Sequence, residues 1–497
     1  GTDGSAGAKI VFENNSVTSS GGAIRNHRGA LTLADASFTG NYAEYSGGAI
    51  YNDVGMTAMT SVDFTANSTD GSGGAIYGLG GTLALSDATF TGNSAGNYGG
   101  AISMYGTVTL SDASFTGNSA GTGGGAIYSF ASSDPSTVIL SNTSFTGNSA
   151  GSSGGAIYNV GGAFDGGLGL VGLDVDTNRT SLFSGNTANG AASSIEFATS
   201  GANAELRVDT AAGGLLDMRD PMGAAVNPVT VIIDKAGGGV WALGGVNAFA
   251  STDGTGSTAF SVAAGTLYLY GEGEVANANA GDSAATVAAG SLVLDGVDST
   301  FTLGSGASLV AGGANSIETQ GTITLADGAM LRGGNAATLL GGEDGSRTEN
   351  GGTTSLTLRA ARGVVLAGTL NVAALDQLDG FILDADLGGT GALAKIGAGT
   401  VTLTGVNAYA GGTKVHHGTL VVPGSINHPD GDLIVGELAD DDGTLIVEGG
   451  GVVNANGATL GLSAGAKGAV MVDGAASALN TAGNLFLGQS GTGTLTI

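Results

Sequence analysis

Cysteine is absent from all 497 residues, so no disulfide framework, thiol nucleophile or thiolate metal site is available to this chain. Proline is scarce at 5 residues while glycine reaches 96, which excludes a proline-rich linker; without a strict glycine triplet, collagen is excluded as well. Basic side chains are also few. The 14 Lys and Arg stand against 42 Asp and Glu, a formal net charge of -28 that comes close to excluding nucleic acid as a partner. In the first 200 residues the basic ones are Lys9, Arg25, Arg28 and Arg179, too scattered for a phosphate-tracking groove. No stretch reaches the roughly 18 uninterrupted apolar residues of a membrane-spanning helix, and Gly1-Thr2-Asp3-Gly4 lacks the regions of a signal peptide.

What the chain does have is a repeat. Phe-x-x-Asn occurs at Phe12/Asn15, Phe38/Asn41, Phe64/Asn67, Phe90/Asn93, Phe115/Asn118, Phe145/Asn148 and Phe183/Asn186. Gly-Gly-Ala-Ile ends at Ile24, Ile50, Ile76, Ile102, Ile127 and Ile157, with a degenerate Ala-Ser-Ser-Ile ending at Ile195. Each phenylalanine lies 12 residues before its isoleucine, whereas the return arcs run 14, 14, 14, 13, 18 and 26 residues. One fixed arc and one variable arc describe a solenoid coil whose loops grow without disturbing stacked neighbours. The longest growth follows Ile127 and Ile157, and insertions are expected to bulge from one face.

Alternating runs such as Leu83-Ala84-Leu85 and Val108-Thr109-Leu110 precede the phenylalanines, and Gly-Gly supplies a turn before a second short strand. Parallel stacking at about 4.8 Å per coil predicts one buried phenylalanine column and one asparagine amide ladder. The expected fold is all-β, a single right-handed parallel β-helix of about 25–26 residues per coil, because parallel crossovers take that hand. Further along, Lys395-Ile396-Gly397-Ala398-Gly399 with Gly405-Val406-Asn407-Ala408-Tyr409 echoes Lys235 to Gly239 with Gly245 to Phe249. Val435-Gly436, Leu460-Gly461 and Leu487-Gly488 recur at 25 and 27 residues. The expected organisation is 1–200 with the paired motifs, 201–390 with less regular coils, and 391–497 with the later repeats.

The paired motifs resemble the repeats of polymorphic outer-membrane-protein autotransporters, over roughly residues 10 to 197. Lys395 to Val422 resembles the passenger-associated repeat of type V secretion proteins, and 433 to 497 is similar to another coil repeat of such passengers. The resemblance implies a passenger on the surface of, or secreted from, a Gram-negative bacterium, exported through a C-terminal barrel and used mostly for adhesion. No barrel pattern occurs in this chain, so a processed or partial passenger is expected, with membrane contact only through a barrel outside it. The implied partners are a host-cell or glycan receptor, or neighbouring copies of the chain, without cofactor or metal.

Catalytic patterns are weak. Gly-x-Ser-x-Gly at Gly92, Gly117 and Gly147 recurs at coil spacing, which contradicts a unique strained nucleophile. Gly281-Asp282-Ser283-Ala284 lacks the glycine expected after a protease serine, and the histidines are few: His27, His416, His417 and His428. His416 and His417 adjoin, so on a strand they would face opposite sides and could not easily share a metal; a turn-flanking pair is the expected reading, and Asp440-Asp441-Asp442 reads as a solvated acidic turn. A polysaccharide-active enzyme would need clustered carboxylates and a base, for which Arg25 and Arg28 or Arg359 and Arg362 have no special recommendation. A fibre or layer subunit stacking end to end is the remaining alternative. The expected non-catalytic site is a row of tyrosines: if Ile50, Ile76, Ile127 and Ile157 point inward, Tyr51, Tyr77, Tyr128 and Tyr158 point outward, interrupted at Ser103. Such rings suit sugars or a receptor.

Overall fold

The computed structural model describes residues 9–131, 137–161, 169–199, 204–225, 230–249, 257–269, 291–294, 299–305, 307–311, 314–333, 355–374 and 380–497, with no helix among them. The arcs that grow after Ile127 and Ile157 contain 132–136 and 162–168, and Gly281 to Ala284 falls within 270–290, so these stretches lie outside the described residues. The chain forms two compact units, Gly1–Trp241 with Asn247–Ser257, and Ala242–Val246 with Thr258–Ile497.

In the first unit each repeat supplies one strand to each of three parallel sheets, which makes it a β-helix. Ala30–Thr39, Gly55–Thr65 and Gly81–Thr91 form one sheet; Tyr42–Ala43, Ser68–Thr69 and Ser94–Ala95 form the second; Ile24–His27, Ile50–Asp53 and Ile76–Gly78 form the third. Pairing keeps the motif register, with Phe38 opposite Phe64 and Ile50 opposite Ile76. The seven phenylalanine rings from Phe12 to Phe183 stack with centroids 4.6–4.8 Å apart. Phe38 onward is fully buried, and Phe12 is half-buried at the unit's first rung.

The asparagines form a one-way ladder. Asn15 Nδ2 donates to Asn41 Oδ1 at 2.8 Å, and the same bond links Asn41 to Asn67, Asn67 to Asn93, Asn93 to Asn118, Asn118 to Asn148 and Asn148 to Asn186 at 2.8–3.0 Å. Each backbone N–H donates to the same oxygen, as Asn93 N does to Asn118 Oδ1 at 3.0 Å. The second amide hydrogen goes to a phenylalanine carbonyl, as from Asn93 Nδ2 to Phe64 O at 3.0 Å. Every polar atom of an interior rung is thereby satisfied, which a fully buried amide requires. The last rung ends on a residue absent from the motif: Asp220 accepts from Gly185 N at 3.0 Å and from Asn186 N and Nδ2 at 2.8 Å each. Burial pushes the Asp220 carboxyl above its ordinary value, against the lowering effect of these donors.

The two glycines of Gly-Gly-Ala-Ile do different work. The first has positive φ, 65° at Gly99 and 67° at Gly124. The second does not; it lets adjacent coils touch, because a Cβ on Gly100 would run into Gly125 O and the Ser119 backbone. Another left-handed position follows each phenylalanine by two residues. Gly40, Gly92, Gly117, Gly147 and Gly185 fill it at φ 61–67°, but Ala66 adopts φ 53° there. Ala66→Gly should therefore stabilise the first unit by about 0.5–1 kcal/mol, the relief of left-handed strain less the extra backbone entropy of glycine. A denaturant midpoint that stays put or falls would show that the strain is not stored there.

The second unit is also built of parallel strands. Leu433–Val435, Ala458–Leu460 and Leu485–Leu487 pair so that Val435, Leu460 and Leu487 lie opposite one another. Its interior holds a polar chain in which Tyr409 Oη meets Thr413 Oγ1 at 2.6 Å and Thr413 Oγ1 meets His428 Nε2 at 3.0 Å. Lys395 is fully buried, donating to Ile396 O at 3.2 Å, Gly397 O at 2.6 Å and His417 O at 2.8 Å. In the first unit Lys235 is likewise buried and donates to Ala236 O and Gly237 O at 2.9 and 3.0 Å.

Burial pulls both ammonium groups from 10.5 down to about 8. Between those values the unfolded chain binds more protons than the folded one, so stability rises with pH. Each unit should therefore gain resistance to urea from pH 8 to pH 10 relative to a Lys→Met variant at the same position. A gain of the same size in the variants would assign the effect to other groups.

Candidate functional site: the tyrosine face

Inward isoleucines set the direction of their neighbours. Arg25, Tyr51, Tyr77, Ser103, Tyr128, Tyr158 and Glu196 follow one another in register on the outer side of the third sheet. The rings do not stand freely in solvent as the alternation alone suggests. Tyr51, Tyr77 and Tyr158 are half-buried, and Tyr128 is only 7% exposed. The reason is mutual cover: Tyr51 stacks on Tyr77 at 5.4 Å, Tyr128 meets Tyr158 at 5.8 Å, and the Arg25 guanidinium lies 5.1 Å from the Tyr51 ring centre. Burial raises the pKa of Tyr51, Tyr77, Tyr128 and Tyr158, so these phenols stay neutral and can donate a hydrogen bond. Stacked rings offer edges and hydroxyls outward, not the broad faces expected from sequence.

Three aromatics missed from sequence complete the patch. Phe130 lies two residues beyond Tyr128 on the strand Ile127–Phe130, which period-two counting could have found, and Tyr105 lies two beyond Ser103, just past the end of the strand Ile102–Met104. Tyr98 comes from the preceding turn and lies on the Tyr128 ring at 4.4 Å. Its only sequence signal is that it belongs to the coil lacking the column tyrosine.

The rival sites resolve into structural roles. His416 and His417 lie in the turn after a strand. The strand Thr413–Val415 ends before them, and both reach Asp441, His416 Nδ1 at 2.8 Å from Oδ2 and His417 Nε2 at 3.4 Å from Oδ1. Asp441 is not a solvated turn residue but 3% exposed, accepting Glu437 N and Leu438 N at 2.9 and 2.8 Å. Burial works to raise its pKa, but the Leu438 N–H, His416 and the Glu437 N–H outweigh it and hold the carboxyl below the ordinary range. Among the described residues no group of three or more His, Cys, Asp and Glu side chains is arranged to hold a metal ion. Arg359 pairs with Glu318 at 2.9 Å and Asp384 at 3.1 Å, and both carboxylates raise its pKa, the opposite of what a base needs. The serines of the Gly-x-Ser-x-Gly turns, Ser94, Ser119 and Ser149, are successive rungs of one sheet.

Stacked coils with these motifs define a class, the autotransporter passenger built on polymorphic membrane protein repeats. The profile of the Chlamydia polymorphic membrane protein repeat matches residues 9–27, 35–53, 61–79, 87–104, 112–129 and 142–160, and that of the passenger-associated transport repeat matches 393–422. Among curated proteins, the chain is similar to the adhesin BmaC autotransporter of Brucella suis biovar 1 (strain 1330), 30% identical over 203 residues. That match covers 37% of this chain and 6% of the relative. No solved structure matches.

Proposed function

We propose that the chain is a non-catalytic adhesin passenger, displayed at or released from the surface of a Gram-negative bacterium, that contacts a glycan-bearing host receptor through its tyrosine face. The observation that carries this reading is the gathering of Tyr51, Tyr77, Tyr98, Tyr105, Tyr128, Phe130 and Tyr158 outside a sheet whose inner side is already filled by buried isoleucines. Aromatics left outside a complete core are the usual material of a recognition surface. The adhesin name of the Brucella relative supports the same reading.

The test is binding of the purified chain to cultured epithelial cells and to an immobilised glycan array. Saturable binding that falls in a Tyr77→Ala/Tyr158→Ala double variant is expected. Absence of binding to both overturns the adhesin reading, and release of new reducing ends or unsaturated sugars from the array would replace it with an enzyme.

A further inference from the structure

The tyrosine column has one rung without its own ring. Ser103 stands in register between Tyr77 and Tyr128, and its Oγ is buried without a hydrogen-bond partner. Two tyrosines of the same coil close over this rung. Tyr98 occupies a turn column otherwise formed by Ser20, Ser46, Ser72, Gly123 and Ser153, and lies against Tyr128. Tyr105 is tilted 58° to Tyr77 at 6.0 Å and 61° to Phe130 at 5.2 Å, so it does not complete the stack. Each is followed by a glycine with positive φ, Gly99 at 65° and Gly106 at 141°.

We infer that this rung can take one hexopyranose ring, with Tyr77 and Tyr128 as walls, Ser103 Oγ as its polar floor, and Tyr98 and Tyr105 as lids whose rings fill the slot until the sugar displaces them. The spacing fits one ring, because Tyr98 already holds that place, stacked 4.4 Å from the Tyr128 ring much as Phe64 lies 4.8 Å from both Phe38 and Phe90, and a pyranose would take the position Tyr98 now fills. A pyranose suits both surfaces: its C–H faces meet the aromatic walls, and its hydroxyls meet Ser103 Oγ and the neutral phenols. An aromatic ligand would leave the floor oxygen unpaired. Ring-for-ring exchange with the lids keeps the aromatic contacts while the buried serine gains a partner. The slot rests on the adhesin reading, which makes surface glycans the ligand class.

The test titrates the full chain with methyl glycosides of glucose, galactose and mannose, following tyrosine-ring NMR resonances. Saturable shifts at Tyr98 and Tyr105 are expected with at least one sugar. Ser103→Tyr fills the rung and should weaken binding at least about tenfold, whereas Tyr105→Ala, which removes a lid, should strengthen it about threefold. Tyrosine is already the residue at this register in both flanking coils; if Ser103→Tyr nonetheless fails to fold, Tyr105→Ala decides alone. Sugar binding unchanged in these variants overturns the slot and leaves the adhesin reading standing. Absence of any tyrosine shift also overturns the slot; adhesion that persists on deglycosylated cells then points to a protein receptor, and adhesion lost altogether ends both readings.

Discussion

Asn93→Leu should destabilise the first unit by about 4 kcal/mol, although leucine has the same branched arrangement of heavy atoms as asparagine. The change removes Oδ1, the acceptor for Asn67 N and Asn67 Nδ2, and removes Nδ2, the donor to Phe64 O. Two buried donors are orphaned, each worth about 1–3 kcal/mol when left unmade in a dry site, and two oxygens, Phe64 O and Asn118 Oδ1, each lose one donor. Because the ladder runs one way, Asn15→Leu should cost far less: Asn15 is exposed, and among the described residues no amide donates to its side chain. Chemical denaturation compares the two, and hydrogen exchange locates the damage. Loss of protection centred on the coils of Asn67 and Asn118 is expected, since a solenoid is held by nearest-neighbour contacts. Equal loss throughout the unit, or equal cost for the two variants, would contradict the ladder as drawn.

Gly100→Ala should be more damaging still, a loss of more than about 4 kcal/mol or failure to fold, because the added methyl meets only backbone atoms that cannot step aside. The control is Gly117→Ala. Gly117 has φ 64°, but a Cβ there meets nothing within 4 Å, so the cost should be confined to the left-handed conformation, about 1–2 kcal/mol. The pair separates steric contact between coils from backbone strain. If both variants lose the same stability, contact between coils is not why the second glycine is needed.

Much of this was legible in sequence because solenoid register translates spacing directly into contact. A phenylalanine repeating with its isoleucine 12 residues on could only stack on its own copies, and the amide ladder follows from the asparagine beside it. What escaped sequence reading lies where that arithmetic fails. Asp220 caps the ladder 34 residues beyond Asn186, with a different side chain and no flanking motif. Tyr98 reaches the tyrosine column from a turn, a path that strand alternation does not describe. Lys395 is charged, which argues for the surface, yet three carbonyl oxygens receive its ammonium in the interior. His416 and His417 follow their strand's end at Val415, and no spacing in the sequence foretells that both reach the buried Asp441.

The amide ladder also has an electrical polarity. Every side-chain amide from Asn15 to Asn148 points its N–H toward the next coil and its oxygen toward the previous one, so the bond dipoles add along the stack as peptide dipoles do in an α-helix. The positive end is the one that meets Asp220. A carboxylate there neutralises the head of a dipole built from side chains, and the two ends of the array are as chemically distinct as the poles of a battery.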